Sequence, residues 1–476
     1  MPLPRTILLS CLILALSAAS ALGQGAPPAE RLRELVDQAG PSLVIVKYVW
    51  EGEANRQELE GQGIVVSDDG LVMAPLDLVP VVLPDSQVGE FQILIPRQDG
   101  DPIELDATLQ GRDERSNVVF IKANAQAEEG DAEGQTTQPV EWRPVEWSYE
   151  RPQVGEFVVS VGRLPEGAGY TLYTYASRLA ANLRGPVPLC VVDHSVTAVG
   201  SIVLDSEGRA VGLVERIGRR SPFLTGIESL ELVEDRLTIF VPSEFYRMSL
   251  EDPPSIDDPV TIPFLGAERL TGLSQELREY YQLGDRAAIQ VGDIIADSPA
   301  AEAEVNSGDV IVALNGEPLE RGDTAEEQPE IFNRTLARMN VGDQVTLTLL
   351  DAARNEREVT ATLAPRPKQV REAERWYAED LGFSVRELVF ADRYVRNLPA
   401  DTPGVAVAFI REQSAAAAAG LRMNDLIRKL NQNDVQGLED FRSAYEKFRE
   451  ENPNDPVVME VLRGSETAIL RIEPPR

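Results

Sequence analysis

A chain of 476 residues is too long for one hydrophobic core, and at roughly 100 to 200 residues per domain it calls for about three domains. Lys and Arg total 45 against 78 Asp and Glu, a formal net charge of -33 that repels phosphate backbones and anionic lipid surfaces, so nucleic acid is excluded as an expected partner. The acids are scattered instead of clustered, which reads as solubility and not as a cation site.

Residues 1–23 carry Arg5, an apolar run over 7–16 and the small-residue segment Ser17-Ala18-Ala19-Ser20-Ala21-Leu22-Gly23, the three-part layout of a secretory signal. The run is shorter than the ~20 residues of a comfortable bilayer span, so cleavage near Ala21 or Gly23 is expected, with an uncleaved membrane anchor as the alternative. Cys11 sits in Leu8-Leu9-Ser10-Cys11, a loose lipobox, but the apolar segment continues past it, the wrong order for lipid attachment. The chain is therefore expected to be exported, to the periplasm or another extracytoplasmic space, and no later segment is apolar for long enough to span a membrane. Once Cys11 leaves with the signal only Cys190 remains, which rules out an intramolecular disulfide; between Leu189 and Val191 it reads as a small buried hydrophobe.

After the signal, Leu32, Leu35 and Val36 give residues 29–39 helical spacing, and Pro41-Ser42-Leu43-Val44-Ile45-Val46 starts a strand. Short β-type runs follow at 63–66, 70–73, 91–95, 107–109 and 118–121, broken by turn signals such as Asp68-Asp69-Gly70. Residues 125–137 are acidic and almost free of large apolar side chains, the centre of a surface insertion over 123–142. A second set of strands resumes at 156–161, 170–176, 200–204, 210–214 and 237–241, so residues 27–247 fit two β barrels in series. Pro253-Pro254 and Asp257-Asp258-Pro259 then mark a linker over 248–259, where neither a helix nor a ladder propagates.

Beyond the linker the chain repeats itself. Ser298-Pro299-Ala300-Ala301 and Gly308-Asp309-Val310-Ile311-Val312-Ala313-Leu314-Asn315-Gly316 return without a gap as Ser414-Ala415-Ala416-Ala417 and Asn424-Asp425-Leu426-Ile427-Arg428-Lys429-Leu430-Asn431-Gln432. Each copy has an apolar strand holding a glycine upstream and a helix with a strand downstream, 328–339 with 345–350 and 438–448 with 457–462, so two similar α+β modules fill 260–365 and 378–474.

The repeat resembles PDZ domains of the permuted type found in HtrA/Deg proteins. That resemblance implies binding of extended peptides as an added strand, with the terminal carboxylate held by backbone N–H groups. Phe264, Leu265, Gly266 and Ala267 in the first copy and Leu381, Gly382 and Phe383 in the second are the implied peptide-binding residues, glycine permitting the close backbone approach. Upstream, Pro41-Ser42-Leu43-Val44-Ile45, Gly61-Gln62-Gly63-Ile64-Val65-Val66, Gly70-Leu71-Val72-Met73, Gly155-Glu156-Phe157-Val158-Val159-Ser160-Val161-Gly162, Gly208-Arg209-Ala210-Val211-Gly212-Leu213 and Phe240-Val241-Pro242-Ser243 resemble the HtrA family in this order and spacing. The implied fold is mainly β and multidomain, a chymotrypsin/trypsin-like double β-barrel followed by two α+β PDZ domains.

Acyl transfer by this family needs a serine, a histidine within hydrogen-bond reach and a carboxylate that fixes the imidazole. The position of the family's histidine holds Asp77, that of its aspartate holds Asn117, and that of its nucleophile holds Val199, in Thr197-Ala198-Val199-Gly200-Ser201 where the family has Gly-Asn-Ser-Gly-Gly. The glycine of the oxyanion hole is Thr197. His194, the only histidine, lies on the same segment as Val199 and not on the first barrel, where the base must sit; Ser195, Ser201, Lys47 and Lys122 form no evident substitute. One histidine and one mature cysteine cannot supply zinc, and neither a calcium loop nor a phosphate-cradling glycine motif is present, so no cofactor is expected.

The expectation is a non-catalytic scaffold or chaperone-like factor whose PDZ domains take C-termini or extended segments of exported proteins. The alternative is an active serine endopeptidase with a non-standard site, and a third reading has the C-terminal modules mediate assembly alone. The resemblance further implies a homotrimer, or mixing with an active paralogue.

Overall fold

The computed structural model describes residues 27–474 apart from 54, 98–99, 125–139, 184–186, 216–237, 323, 400 and 465. The signal segment with Cys11 and the centre of the acidic insertion lie outside the described residues. Helix α1 (Ala29–Ala39) leads into the barrels and turns the expected stripe inward, with Leu35 fully buried and Leu32 and Val36 packed beside it.

The first barrel is built from β1 (Leu43–Glu51), β2 (Arg56–Val65), β3 (Leu71–Pro75), β4 (Val88–Ile95), β5 (Ile103–Asp113) and β6 (Val118–Ala123). It closes in the order β1-β2-β3-β6-β5-β4, with Leu43 opposite Ile64 at one seam and Ile45 opposite Leu94 at the other. The period-two alternation of β1 decides where its side chains go: Val44, Val46 and Tyr48 fill the barrel, whereas Leu43 faces the second barrel's side.

The second barrel uses β7 (Phe157–Arg163), β8 (Leu172–Leu183), β9 (Leu189–Val192), β10 (Ile202–Leu204), β11 (Ala210–Leu213) and β12 (Thr238–Pro242), closed in the order β10-β11-β12-β9-β8-β7. Val203, Val211 and Phe240 form its interior, while Ile202, Leu204, Ala210 and Leu213 join Met73, Val118 and Phe120 of the first barrel and Leu35 of α1 in one shared core. These strands are buried on both faces, which is why they read as unbroken apolar runs.

The expected linker starts as a helical turn, α2 (Arg247–Glu251), whose Ser249 hydroxyl donates to Asp113 at 2.6 Å. The proline-rich stretch that follows runs over the first barrel, and Val260 exchanges backbone hydrogen bonds with Arg112 and Glu114. Trp142, at the end of the expected insertion, packs against the first barrel.

In the first module β13 (Pro263–Phe264), β14 (Ala267–Glu268) and β15 (Thr271–Gly272) precede α3 (Gln275–Tyr280); β16 (Ile289–Gln290) and β17 (Asp293–Ile294) precede α4 (Pro299–Glu302). Then come β18 (Val310–Leu314), β19 (Glu317–Pro318), α5 (Glu327–Ala337), β20 (Gln344–Leu350), β21 (Glu356–Thr362) and β22 (Ala364–Pro365). The main sheet has the order β15-β16-β18-β20-β21, with β13 paired to β22 and β14 to β17 apart from it.

The second module contains β23 (Arg375–Ala378), β24 (Phe383–Arg386), α6 (Phe390–Val395), β25 (Val405–Ile410), α7 (Ala415–Ala418), β26 (Leu426–Leu430), β27 (Asn433–Asp434), α8 (Leu438–Glu451), β28 (Val457–Arg463) and β29 (Glu466–Ile472). Its sheet order is β23-β24-β25-β26-β28-β29.

The repeated residues do the same local work in both copies. Ser298 and Ser414 cap α4 and α7 by accepting from Ala301 and Ala417, as N-cap hydroxyls do. Asn315 and Asn431 accept from the backbone N–H of Thr346 and Val458, and Asp309 and Asp425 pair with Arg357 and Arg463. The chain is therefore mainly β, two closed six-stranded barrels followed by the α+β modules.

Candidate functional site

The cleft where the barrels meet is assembled from the ends of β2, β3, β6 and β11 and the turn before β10. Asp77 follows Pro75, the last residue of β3, and is exposed. Leu76 beside it donates its N–H to the carbonyl of Asn117 at 2.9 Å, which brings these two sequence-selected residues together. Asn117 has φ +56°, a left-handed conformation that asparagine tolerates better than most residues.

Glu215 lies at the centre of this cluster and was not singled out from the sequence. Its side chain accepts from Asn117 Nδ2 at 2.8 Å and from the Tyr246 hydroxyl at 2.5 Å, and the residue is only 7% exposed. Burial pushes its carboxyl up to about 7; the hydrogen bonds from Tyr246 and Asn117 work in the opposite direction, and the negative charge of Asp77 adds to the rise. The available signal was an acid directly after the buried strand β11, in Ala210-Val211-Gly212-Leu213-Val214-Glu215.

Val199 occupies the turn that precedes β10. Gly200 donates its N–H to Val214 at 2.8 Å and Ser201 accepts from the N–H of Val214 at 2.9 Å, so Val199 and Glu215 sit one residue beyond paired backbone. Ser201 is fully buried, and its hydroxyl accepts from Gln62 Nε2 at 2.9 Å. Gln62 also accepts from the Arg163 N–H, so this β2 side chain joins the barrels and ties Ser201 to an amide instead of a base.

The remaining sequence-selected residues are engaged elsewhere. The Thr197 N–H donates to Ser160 Oγ at 3.1 Å, and the Ala198 N–H donates to the Tyr173 hydroxyl. His194 points into solvent, its side chain 79% exposed and 3.7 Å from Asp193. Lys47 pairs with Glu58 and Glu166, and Lys122 pairs with Asp69. Cys190 is fully buried, and burial pushes its thiol up to about 12, away from thiolate chemistry. Among the described residues no group of three or more His, Cys, Asp or Glu could hold a metal ion.

Of the residues selected in the modules, Gly266 and Gly382 both have positive φ, +89° and +73°, and a Cβ on either would fall against Ser298 or Ser414. Leu265 and Leu381 are buried and pass their carbonyls to Ala300 and Ala416, which anchors each loop to the following helix. Phe383 is buried in the second core, whereas Phe264 and Ala267 are partly exposed. Among the described residues no strand pairs with the outer edge of β14 or β15.

Residues 380–473 match the PDZ domain family. A "Probable periplasmic serine endoprotease DegP-like" of Ectopseudomonas mendocina is 25% identical over 461 residues, covering 94% of this chain and 85% of the relative. Over most of its length the chain is similar to HtrA/DegP-type serine proteases. A relative of the same name from Halomonas elongata is 24% identical over 401 residues, 82% of this chain and 74% of its own. The solved structure "HtrA-type protease AlgWS227A with decapeptide" superposes with a TM-score of 0.51 at 17% identity, covering 71% of this chain and 98% of its own, which agrees with the HtrA-type fold. Among the described residues no helix is long and apolar enough to cross a membrane.

Proposed function

We propose that this HtrA-type chain is a non-hydrolytic, exported binding protein that captures C-termini or extended segments of other exported proteins through PDZ-type strand addition, as a scaffold or chaperone-like factor. One observation carries the reading. The position matched to the nucleophile is Val199, a branched hydrocarbon, and the cleft beside it is filled by a buried carboxyl tied to Asn117 and Tyr246. Acyl transfer needs a hydroxyl or thiol that a base can deprotonate, and the hydroxyl of Ser201 is hydrogen-bonded to Gln62. The Thr197 amide, matched to an oxyanion donor, is already engaged by Ser160, and one lost donor costs ~10²–10³ in rate. The signal-like start and the periplasmic relatives support export to the periplasm, and the family resemblance supports a homotrimer or mixing with an active paralogue.

The relatives' names favour a second reading, a serine endopeptidase in protein quality control with a non-standard site. Two assays on the purified chain separate them. Casein is expected to stay intact on prolonged incubation while a library of free C-terminal peptides shows selective binding. Casein cleavage that co-purifies with the chain favours the endopeptidase, and no selective binding removes the scaffold reading.

A further inference from the structure

The two modules differ in what lies beside the strand that follows the glycine loop. An added peptide pairs with the open edge of that strand and seats its side chains between strand and helix. In the first module the segment before the loop, β13, pairs with β22, and among the described residues no strand pairs with the outer edges of β14 and β15, although the backbone of Ala325, just before α5, lies against Gly272 of β15. In the second module the segment before the loop folds straight back. β23 pairs antiparallel with β24 in the register Arg375–Arg386, Trp376–Val385, Tyr377–Ser384 and Ala378–Phe383, while β25 holds the opposite edge of β24.

The side chains agree with the backbone. Trp376 lies between β24 and α8, its ring centroid 5.0 Å from Tyr445 and 5.9 Å from Phe441, and both partners also touch Phe383. Gly382 donates its loop N–H to Ala378 at 2.8 Å, so the hairpin uses an amide of the kind that would otherwise face a terminal carboxylate. Asp380 puts an acid at this end of the groove, held by the Tyr445 hydroxyl and Arg449 Nε, each at 2.7 Å. The first barrel clamps the strand in place. Glu53 Oε1, in the turn between β1 and β2, accepts from Arg375 at 3.1 Å and from the buried Ser384 hydroxyl at 3.0 Å, bridging β23 and β24.

We propose that Arg375–Ala378 is an internal ligand of the second PDZ module, filling its strand-addition edge and its side-chain groove, so that peptide capture belongs to the first module until β23 is released. This rests on the PDZ binding reading above and says which module is available. Release needs two contacts to go, the Glu53 bridge and the Trp376 ring, so loosening the first barrel from this module would expose a groove suited to an extended segment with an aromatic side chain.

The test uses the full chain and a fluorescent synthetic peptide of residues 372–380, read by anisotropy. Wild type is expected not to bind, and the double variant Glu53→Ala, Trp376→Ala is expected to bind one peptide per chain at least tenfold more tightly. Equal binding by both, or no binding by a variant whose circular dichroism and melting match wild type, overturns the proposal. Should the variant not fold, hydrogen exchange of wild type decides: protection of the Trp376 and Ala378 amides, which face β24, at least a hundredfold above the unstructured rate supports the internal ligand, and free exchange removes it. Failure of the C-terminal peptide library would strike the scaffold reading alone, because the 372–380 peptide is read on the second module.

Discussion

The cleft between the barrels and the outer edge of the first α+β module treat their polar groups in opposite ways. In the cleft, Gln62 donates to Ser201, Asn117 and Tyr246 donate to Glu215, and the Thr197 amide donates to Ser160. Along β14 and β15 the outer backbone edge has no strand partner among the described residues. An enzyme's reacting groups are held for a substrate; here, Thr197 Oγ1 apart, these cleft groups bond within the barrels, while the module edge carries no strand among the described residues. The second module sides with the cleft, because β23 supplies its own partner.

Substitutions should separate these regions. The largest effect is expected from Gln62→Leu, which leaves the Arg163 N–H and the Ser201 hydroxyl buried without their shared partner. At 1–3 kcal/mol for each orphaned group, denaturant melts should show a loss of roughly 4 kcal/mol, confined to the barrels. Glu215→Gln comes next and carries a pH signature. The folded carboxyl, near 7, binds its proton more tightly than the ordinary one at 4.5, so across that interval the folded state holds more protons and stability falls as pH rises. Wild type should therefore lose on the order of 3 kcal/mol relative to Glu215→Gln between pH 4.5 and pH 8, read from paired melts at the two pH values.

Smaller changes test the open edge. Gly266→Val puts a β-branched residue at φ +89° with its Cβ against Ser298, and about 2 kcal/mol of strain should appear in the unfolding of the first module while that of the second is unchanged. C-terminal peptide binding should fall with it; undiminished binding would relocate the site. Ser201→Ala removes one buried hydrogen bond, a loss of about 1 kcal/mol by thermal melting, and should not alter any hydrolytic background.

Much of this architecture is legible in the sequence because period-two apolar runs and turn residues both act locally. The β1 alternation, the α1 stripe and the serine caps of the repeat are cases where one residue's role follows from its immediate neighbours. The motif spacing also led to Asp77 and Asn117, which the fold joins through the Leu76 to Asn117 hydrogen bond. What escaped was long-range. Glu215 gains its partners from positions 117 and 246, and β23 owes its place to a hairpin and to Glu53, more than 300 residues away, so no local pattern announces either. The start of 248–259 reads as linker for a related reason: its prolines are visible, but the buried contact of Ser249 with Asp113 is tertiary.

Nucleophilic chemistry in the barrel cleft is read out by labelling the purified chain with a fluorophosphonate probe and mapping the peptides. No serine of the native chain should be labelled above the level of the denatured protein. Stoichiometric labelling of Ser201, or of any other serine lining that cleft, would show a working nucleophile there and end the non-hydrolytic reading.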